Sequence, residues 1–359
     1  MTRPTFPKRI ALPGIFSTAM LASALASAPL QAQERDQFSV CWSIYAGWMP
    51  WGYADEAGIV DRWAEKYGIE IDVVQVNDYV ESINQFTSGN VDGCAMTNMD
   101  ALTIPAASGV DSTALIVGDY SDGNDGVVLK NADSLDDIAG RDVNLVQFSV
   151  SHYLLARALD SVGMSERDVS TVNTGDADIA GLFASRDSID AVVTWNPQLS
   201  TVTGLEGSLL AFDSSEIPGE ILDLMVVNTQ TLADYPDLGH ALVGAWYETM
   251  ALMADGDEAA LSQMAEAAGT DLEGYRAQLD ATYLYTDPAE ALALFESEDL
   301  LETMQRVAEF SFEHGLLGDM APNPGVVGIE TSQGVFGDES NIKLRFDPSF
   351  TQAYIDAHP

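Results

Sequence analysis

The sequence predicts an α/β protein of two Rossmann-like lobes joined by a two-strand hinge, and three observations carry that reading. Apolar strand-like runs alternate with amphipathic helical stretches through the first half of the chain, a rhythm that lays helices on parallel strands. A polar, glycine-rich passage at 119–126, DYSDGNDG, interrupts the rhythm, which then begins again. Near 220–227 an apolar strand carrying LMVV turns the chain back toward its first half.

The elements follow in order. Residues 38–42 read as the first strand. A helix over 56–67 places Ile59, Val60, Trp63, Ala64 and Tyr67 on one face and ends at Gly68. Strand 69–76, helix 79–87 and strand 91–96 come next, the last delivering Thr97-Asn98-Met99-Asp100. A helical turn at 102–107 and a strand at 112–117 complete the first unit. The second opens with apolar segments 127–129, 135–138 and 142–146 and continues with helix 151–162, strand 169–173, helix 179–185 and strand 189–194, until Pro197 stops the run. A short strand at 209–212 precedes the return. Helical periodicity then marks 235–254, 258–268, 272–279, 289–295 and 300–314, residues 321–337 read as loop, and 346–355 as a closing element. Lobe 1 is thus expected at 38–122 and 224–345, and lobe 2 at 123–223. Two crossings between the same lobes make a hinge, with the ligand site expected in the crevice beyond the strand ends.

The 359 residues hold 15 Lys and Arg against 56 Asp and Glu, a formal charge of −41, yet 47% are hydrophobic. This is a folding chain with an acidic coat, suited to a saline medium. Its field repels nucleic acid and anionic membranes, so neither is expected as a partner. Arg3, Lys8 and Arg9 precede an Ala- and Leu-rich run that ends near Ala32. Residues 1–32 therefore read as a cleaved signal peptide, and a monomer in the periplasm is expected. Cys41 and Cys94 each close a strand-like run. A disulfide is permitted in an exported protein, but neighbouring parallel strands often hold such positions unsuitably, so buried free thiols are the expectation.

The densest chemistry lies in CWSIYAGWMPWGYADE, residues 41–56, where Trp42, Tyr45, Trp48, Trp51 and Tyr53 crowd beside Asp55 and Glu56. Packing in the core explains some of these rings. At the end of a strand they also suit the wall of a small-molecule site, because ring faces attract cations and an adjacent carboxylate supplies charge. Asn98 and Asp100 follow the third strand, as ligand contacts or as helix caps. Ser149 and His152 sit before and within the second lobe's first helix, where the serine equally suits a cap. Trp195 leaves an apolar strand just before Asn196-Pro197, and Asp223 lies in the return crossing, placed to pair a cation or brace the hinge. No metal-ligand cluster, phosphate-cradling loop, GxGxxG after the first strand or GxSxG elbow is present in the sequence, so neither a metal nor a cofactor is expected. Two cleft carboxylates can do acid–base work, but binding a cation needs no chemistry.

The segments WSIYAGWMPWGYADEAGIVDRWAEKYGIEIDVV, GNVDGCAMTNMDALTIPAASGVDSTALIVGDYSDGNDGVVLK and VVTWNP resemble substrate-binding proteins of ABC transporters in the nitrate/sulfonate/taurine group. More narrowly they resemble the branch associated with urea carboxylase-like, guanidine-degrading enzymes. The likeness runs from about Phe38 to near Asn341. It implies the two-lobed periplasmic binding protein fold, with solute handed to a membrane permease driven by a cytoplasmic ATPase. It also makes guanidinium the first substrate candidate. Such a plane stacks on Trp42 or Trp195 while Asp55, Asp100 or Asp223 accept its N–H groups. The candidate loops hold no Lys or Arg, a departure from what anion binding requires. The alternatives are a receptor for urea or another short amide or amine, a periplasmic enzyme of the same shape, and a sensor with a different membrane partner.

Overall fold

The computed structural model describes residues 35–318 and 321–358; the expected signal peptide lies outside them. The strands are β1 (Gln37–Trp42), β2 (Glu70–Gln75), β3 (Gly93–Thr97), β4 (Ser112–Ser121), β5 (Asp125–Lys130), β6 (Asp142–Leu145) and β7 (Ser170–Asn173). They continue with β8 (Ala191–Trp195), β9 (Ser208–Asp213), β10 (Leu222–Asn228), β11 (Thr282–Leu284), β12 (Gly328–Thr331), β13 (Gly334–Phe336) and β14 (Ile342–Phe346). Two sheets result. One has the order β13-β12-β14-β4-β10-β3-β1-β2, with β11 also paired to β4; the other has the order β7-β6-β8-β5-β9. The chain crosses between them twice, from β4 to β5 and from β9 to β10.

The α/β reading holds, but neither sheet is purely parallel. β1 runs parallel to β2 and β3, whereas the return strand β10 is antiparallel to both β3 and β4. In the second sheet β5 is antiparallel to β8 and β9. These antiparallel contacts involve strands at the crossings, where the chain enters its new sheet from the opposite end; the β12–β13 pair is a local hairpin. Hydrophobic periodicity reports burial and not strand direction, so the sequence carries no signal for this.

Other departures have local causes. The 119–126 passage, expected as a polar crossing, is mostly strand: β4 extends to Ser121, and Asp119 pairs in register with Asp223 of β10. The expected helix over 56–67 is Ile59–Tyr67, and a further helix, Met49–Glu56, occupies the preceding stretch expected as a loop. Met49–Glu56 starts with Pro50 in its first turn, where a missing N–H costs nothing. Ile59–Tyr67 follows and is stopped by Gly68 in the left-handed region (φ 72°). Residues 321–337 contain β12 and β13, too short for a periodic pattern; they form because β14 supplies a partner edge.

Helix Pro236–Ala254 covers the larger sheet with Leu238, Ala241, Leu242, Ala245 and Trp246 buried. Two glycines admit its contacts. A Cβ at Gly118 would meet the Trp246 ring at 2.7 Å, and one at Gly244 would meet Trp63 at 2.2 Å.

Cys41 and Cys94 face each other in register across β1 and β3 and form a disulfide, overturning the expectation of free thiols. The bridge spans a sequence separation of 53 residues. Loop-closure entropy for a loop of that size corresponds to about 4 kcal/mol. Replacing both cysteines by alanine should therefore lower unfolding stability by about 2–5 kcal/mol in denaturant titrations. The native protein unfolded without reductant should show no reactive thiol. One thiol per cysteine, or equal midpoints for native protein and variant, would contradict the bridge.

Candidate functional site

A small enclosed cavity lies at the ends of the strands where the two sheets meet. Its lining is Tyr45, Trp48, Tyr79, Thr97, Asp125, Val150, Trp195 and Asp223, none more than 4% exposed. The closed walls leave room for about one water.

Each wall has a local origin. Beyond β1 the chain tightens into a 3₁₀ turn, Ala46–Trp48, which aims Tyr45 and Trp48 inward with their rings edge to face at 5.1 Å. Gly47 permits the turn, since a Cβ there would meet Asp119 Oδ2 at 2.4 Å. The Tyr275 hydroxyl donates to the Ala46 carbonyl and holds the turn from behind (2.9 Å). Tyr79 opens a helix capped by Asp78, and its ring meets both Trp48 (5.5 Å) and Trp195 (5.4 Å). Thr97 ends β3 and caps the following turn.

The second sheet supplies the facing wall. Trp195 ends β8, and its indole N–H donates to the Ile44 carbonyl across the cleft (3.0 Å). Next to it, Ala46 N–H donates to the Asn196 carbonyl (3.2 Å). Val150 begins helix Val150–Ser161, and its backbone N–H donates to Asp100 Oδ2 (3.1 Å). These three hydrogen bonds join one sheet's strand ends to the other's and close the cavity between them.

Electrostatically the site is one-sided. Asp119, Asp125 and Asp223 are fully buried at the crossings, and none forms an ion pair with any Lys, Arg or His among the described residues. Burial pushes Asp125 up to about 7, against a hydrogen bond from Ser121 that favours its charged form (2.6 Å). Asp119 and Asp223 interact directly. Burial raises both, the negative charges of Asp119 and Asp125 push Asp223 up further, and Asp119 accepts from the Tyr45 hydroxyl (3.0 Å). Asp119 Oδ2 and Asp223 Oδ2 have no hydrogen-bond partner. Such an arrangement favours a guest that brings positive charge and N–H donors.

Of the residues singled out from sequence, Tyr45, Trp48, Trp195 and Asp223 come together on the cavity. Asp100 lies directly behind it. Its Oδ2 accepts from the Tyr79 hydroxyl (2.7 Å), the Thr97 hydroxyl (3.0 Å) and Val150 N–H, so it fixes the wall and carries no free acceptor toward the cavity from that oxygen. Burial raises Asp100 to about 6 despite these donors. Trp42 packs over Gly52, whose Cβ would meet its ring at 2.6 Å, and Asp55 sits on the outer surface beside Asp61, Glu65, Glu70 and Asp72.

Asn98 braces the second crossing, donating to the Glu220 carbonyl and accepting from Leu222 N–H, both at 3.0 Å. Ser149 caps helix Val150–Ser161. His152 pairs with Glu166 (2.9 Å) and accepts from Phe148 N–H through Nδ1 (3.2 Å). None of these residues reaches the cavity lining. Sequence reasoning missed Tyr79, Thr97, Asp125 and Val150 on the lining and Asp119 behind it. Thr97 and Asp125 were within reach, because Thr97 precedes Asn98 and Asp125 lies within the 119–126 crossing.

A family described as NMT1/THI5 like matches residues 63–260, more than half of the chain. No curated protein matches the sequence. Among solved structures, the alkanesulfonate-binding protein of Xanthomonas axonopodis pv. citri bound to MOPS is similar, with TM-score 0.68 and 15% identity over 80% of this chain and 96% of that one. The periplasmic aliphatic sulphonate-binding protein of Escherichia coli has TM-score 0.62 and 18% identity, covering 79% of this chain and 94% of its own. The periplasmic nitrate-binding protein of Synechocystis PCC 6803 has TM-score 0.55 and 13% identity, covering 91% and 99%. At these identities the likeness is one of fold, that of two-lobed periplasmic binding proteins. By the family match, the chain belongs to the NMT1/THI5-like family.

Proposed function

We propose that this chain is the solute-binding component of an ABC importer, working as a monomer in the periplasm, and that it captures a small planar nitrogen-rich cation. Guanidinium is the first candidate. The observation that carries the charge assignment is the set of three buried carboxylates at the cavity without a basic partner. The similar solved proteins are titled for sulfonate and nitrate binding. An anion placed here would meet Asp125 and Asp223 and no basic side chain among the lining residues. A planar cation instead finds aromatic faces on Tyr45, Trp48, Tyr79 and Trp195 and acceptors on two lining carboxylates. It would then be passed to a membrane permease driven by an ATPase, and the site is read as one for binding without turnover.

A second reading has its own support. The raised carboxyls keep protons near neutral pH, and a protonated carboxyl donates a hydrogen bond that a urea carbonyl can accept. Charge separates the two readings.

Isothermal titration of the protein at high salt should give saturable binding of guanidinium and no heat from taurine or nitrate. Saturation by urea alone would transfer the assignment to the neutral amide. Asp223→Asn should weaken guanidinium by about 30-fold or more, roughly 2 kcal/mol, and urea much less. Equal losses for the two ligands would remove the charge-pairing argument. Trp195→Ala removes both an aromatic wall and the donor to Ile44, and about a hundredfold loss of affinity is expected with the fold retained by circular dichroism.

The raised carboxyls also set a pH dependence. Between the ordinary value of 3.8 and about 7 the folded protein holds protons that the unfolded chain has lost. Their stabilisation is fully present below about pH 4 and is lost as pH rises through about 7. A cation favours the ionised carboxylates, so guanidinium affinity should rise from about pH 5 to about pH 8 with release of protons. Calorimetry in buffers of different ionisation enthalpy measures that release, and affinity flat or falling across the range would contradict the ionised-carboxylate site.

A further inference from the structure

The three carboxylates sit at the two crossings between the sheets. Asp119 lies near the end of β4 and Asp125 at the start of β5, on either side of the first crossing; Asp223 lies at the start of β10, just after the second. Asp119 and Asp223 are register partners across β4 and β10, and the ladder is irregular between Asp223 and Leu224. Ser121 and Ser214, one from each crossing, hydrogen-bond each other (2.7 Å), and Ser214 also accepts from Gly123 N–H (2.8 Å). Through Ser121 this same knot holds Asp125.

The carboxylates are covered from both sides. Trp195 and Val150 come from the second sheet's side, while Tyr45, Trp48, Tyr79 and Thr97 come from the first. The hydrogen bonds from Trp195 to Ile44, Ala46 to Asn196 and Val150 to Asp100 hold the two sides together. The titratable groups facing the cluster are Tyr45 from the turn after β1, Asp100 from the turn after β3, Tyr275 from helix Leu272–Asp280 and Tyr285 just after β11. All are acids whose ionisation adds negative charge.

We propose that charge on these hinge carboxylates gates closure: ionised and unpaired they favour the open form, and neutralisation by protons or by a bound cation favours the closed one. Opening returns water to Asp119, Asp125 and Asp223 and removes the desolvation cost of their charge. A cation performs in the closed form what water performs in the open one. The coupling therefore needs no relay, because the groups that meet the ligand's charge are on the strands that bend. The inference rests on reading the cavity as a solute site, but its first test uses no solute.

Small-angle scattering of the ligand-free full chain at high salt, at about pH 5 and about pH 8.5, measures the effect. The radius of gyration should be larger at the higher pH, and guanidinium should return it to the smaller value. In the Asp125→Asn/Asp223→Asn double variant it should stay small at both. The His152–Glu166–His314 cluster lies outside the cavity and ties helix Val150–Ser161 to the end of helix Glu298–Glu313. The shift must therefore persist in His152→Gln/His314→Gln.

A native radius independent of pH, or a shift abolished by removing the histidines, would overturn the gate. A pH response with no response to guanidinium would leave the gate standing and overturn guanidinium as the solute. Calorimetric binding of guanidinium with a pH-independent radius would do the reverse.

Discussion

Burying an ionised carboxylate without a counter-charge costs several kcal/mol, and this chain buries three carboxyl groups, with no basic partner among the described residues, where its two sheets meet. Asp119, Asp125 and Asp223 cannot be understood as packing: each sits at or near a strand end beside a cavity, with hydroxyls and each other for company. The chain elsewhere shows what a satisfied buried acid looks like. Glu220 receives both arms of the Arg157 guanidinium at 2.9 Å and the Tyr153 hydroxyl at 2.9 Å, with Arg306 nearby. The contrast between the paired Glu220 and the unpaired trio gives the trio its functional reading.

The scaffold holds the site from two directions. The Cys41–Cys94 bridge joins β1, which leads into the Tyr45–Trp48 turn, to β3, which delivers Thr97, so two walls share one covalent anchor. Asp100 then links that side to the other by accepting from Tyr79, Thr97 and Val150 at one oxygen. Its importance is positional. It orders a wall and caps a helix start, while Asp125 and Asp223 line the cavity itself.

A chain with 56 acidic residues carries many carboxylates on its surface, and Asp55 is one of them. Local sequence does not separate such a carboxylate from Asp223. Both follow apolar or aromatic stretches, and both look suited to a cation. Burial separates them, and burial is produced by elements far away in the chain: β4, the second sheet and helix Leu272–Asp280 close over the inner acids and leave Asp55 in solvent.

The sequence by itself determined the α/β class, the alternation of most strands and helices through Thr194, and the aromatic concentration after β1, because these depend on short-range periodicity and composition. It also pointed to Trp195 and Asp223, since a strand end beside a crossing is visible locally. Only the tertiary structure decided strand direction, the disulfide, and which acids lose their water. Those depend on which segments meet: Asp119 opposite Asp223, Cys41 opposite Cys94, Trp195 over Ile44. Pairing between residues tens to more than a hundred positions apart leaves no periodic trace in a single chain, and the desolvation that gives the site its character exists only once those partners are in contact.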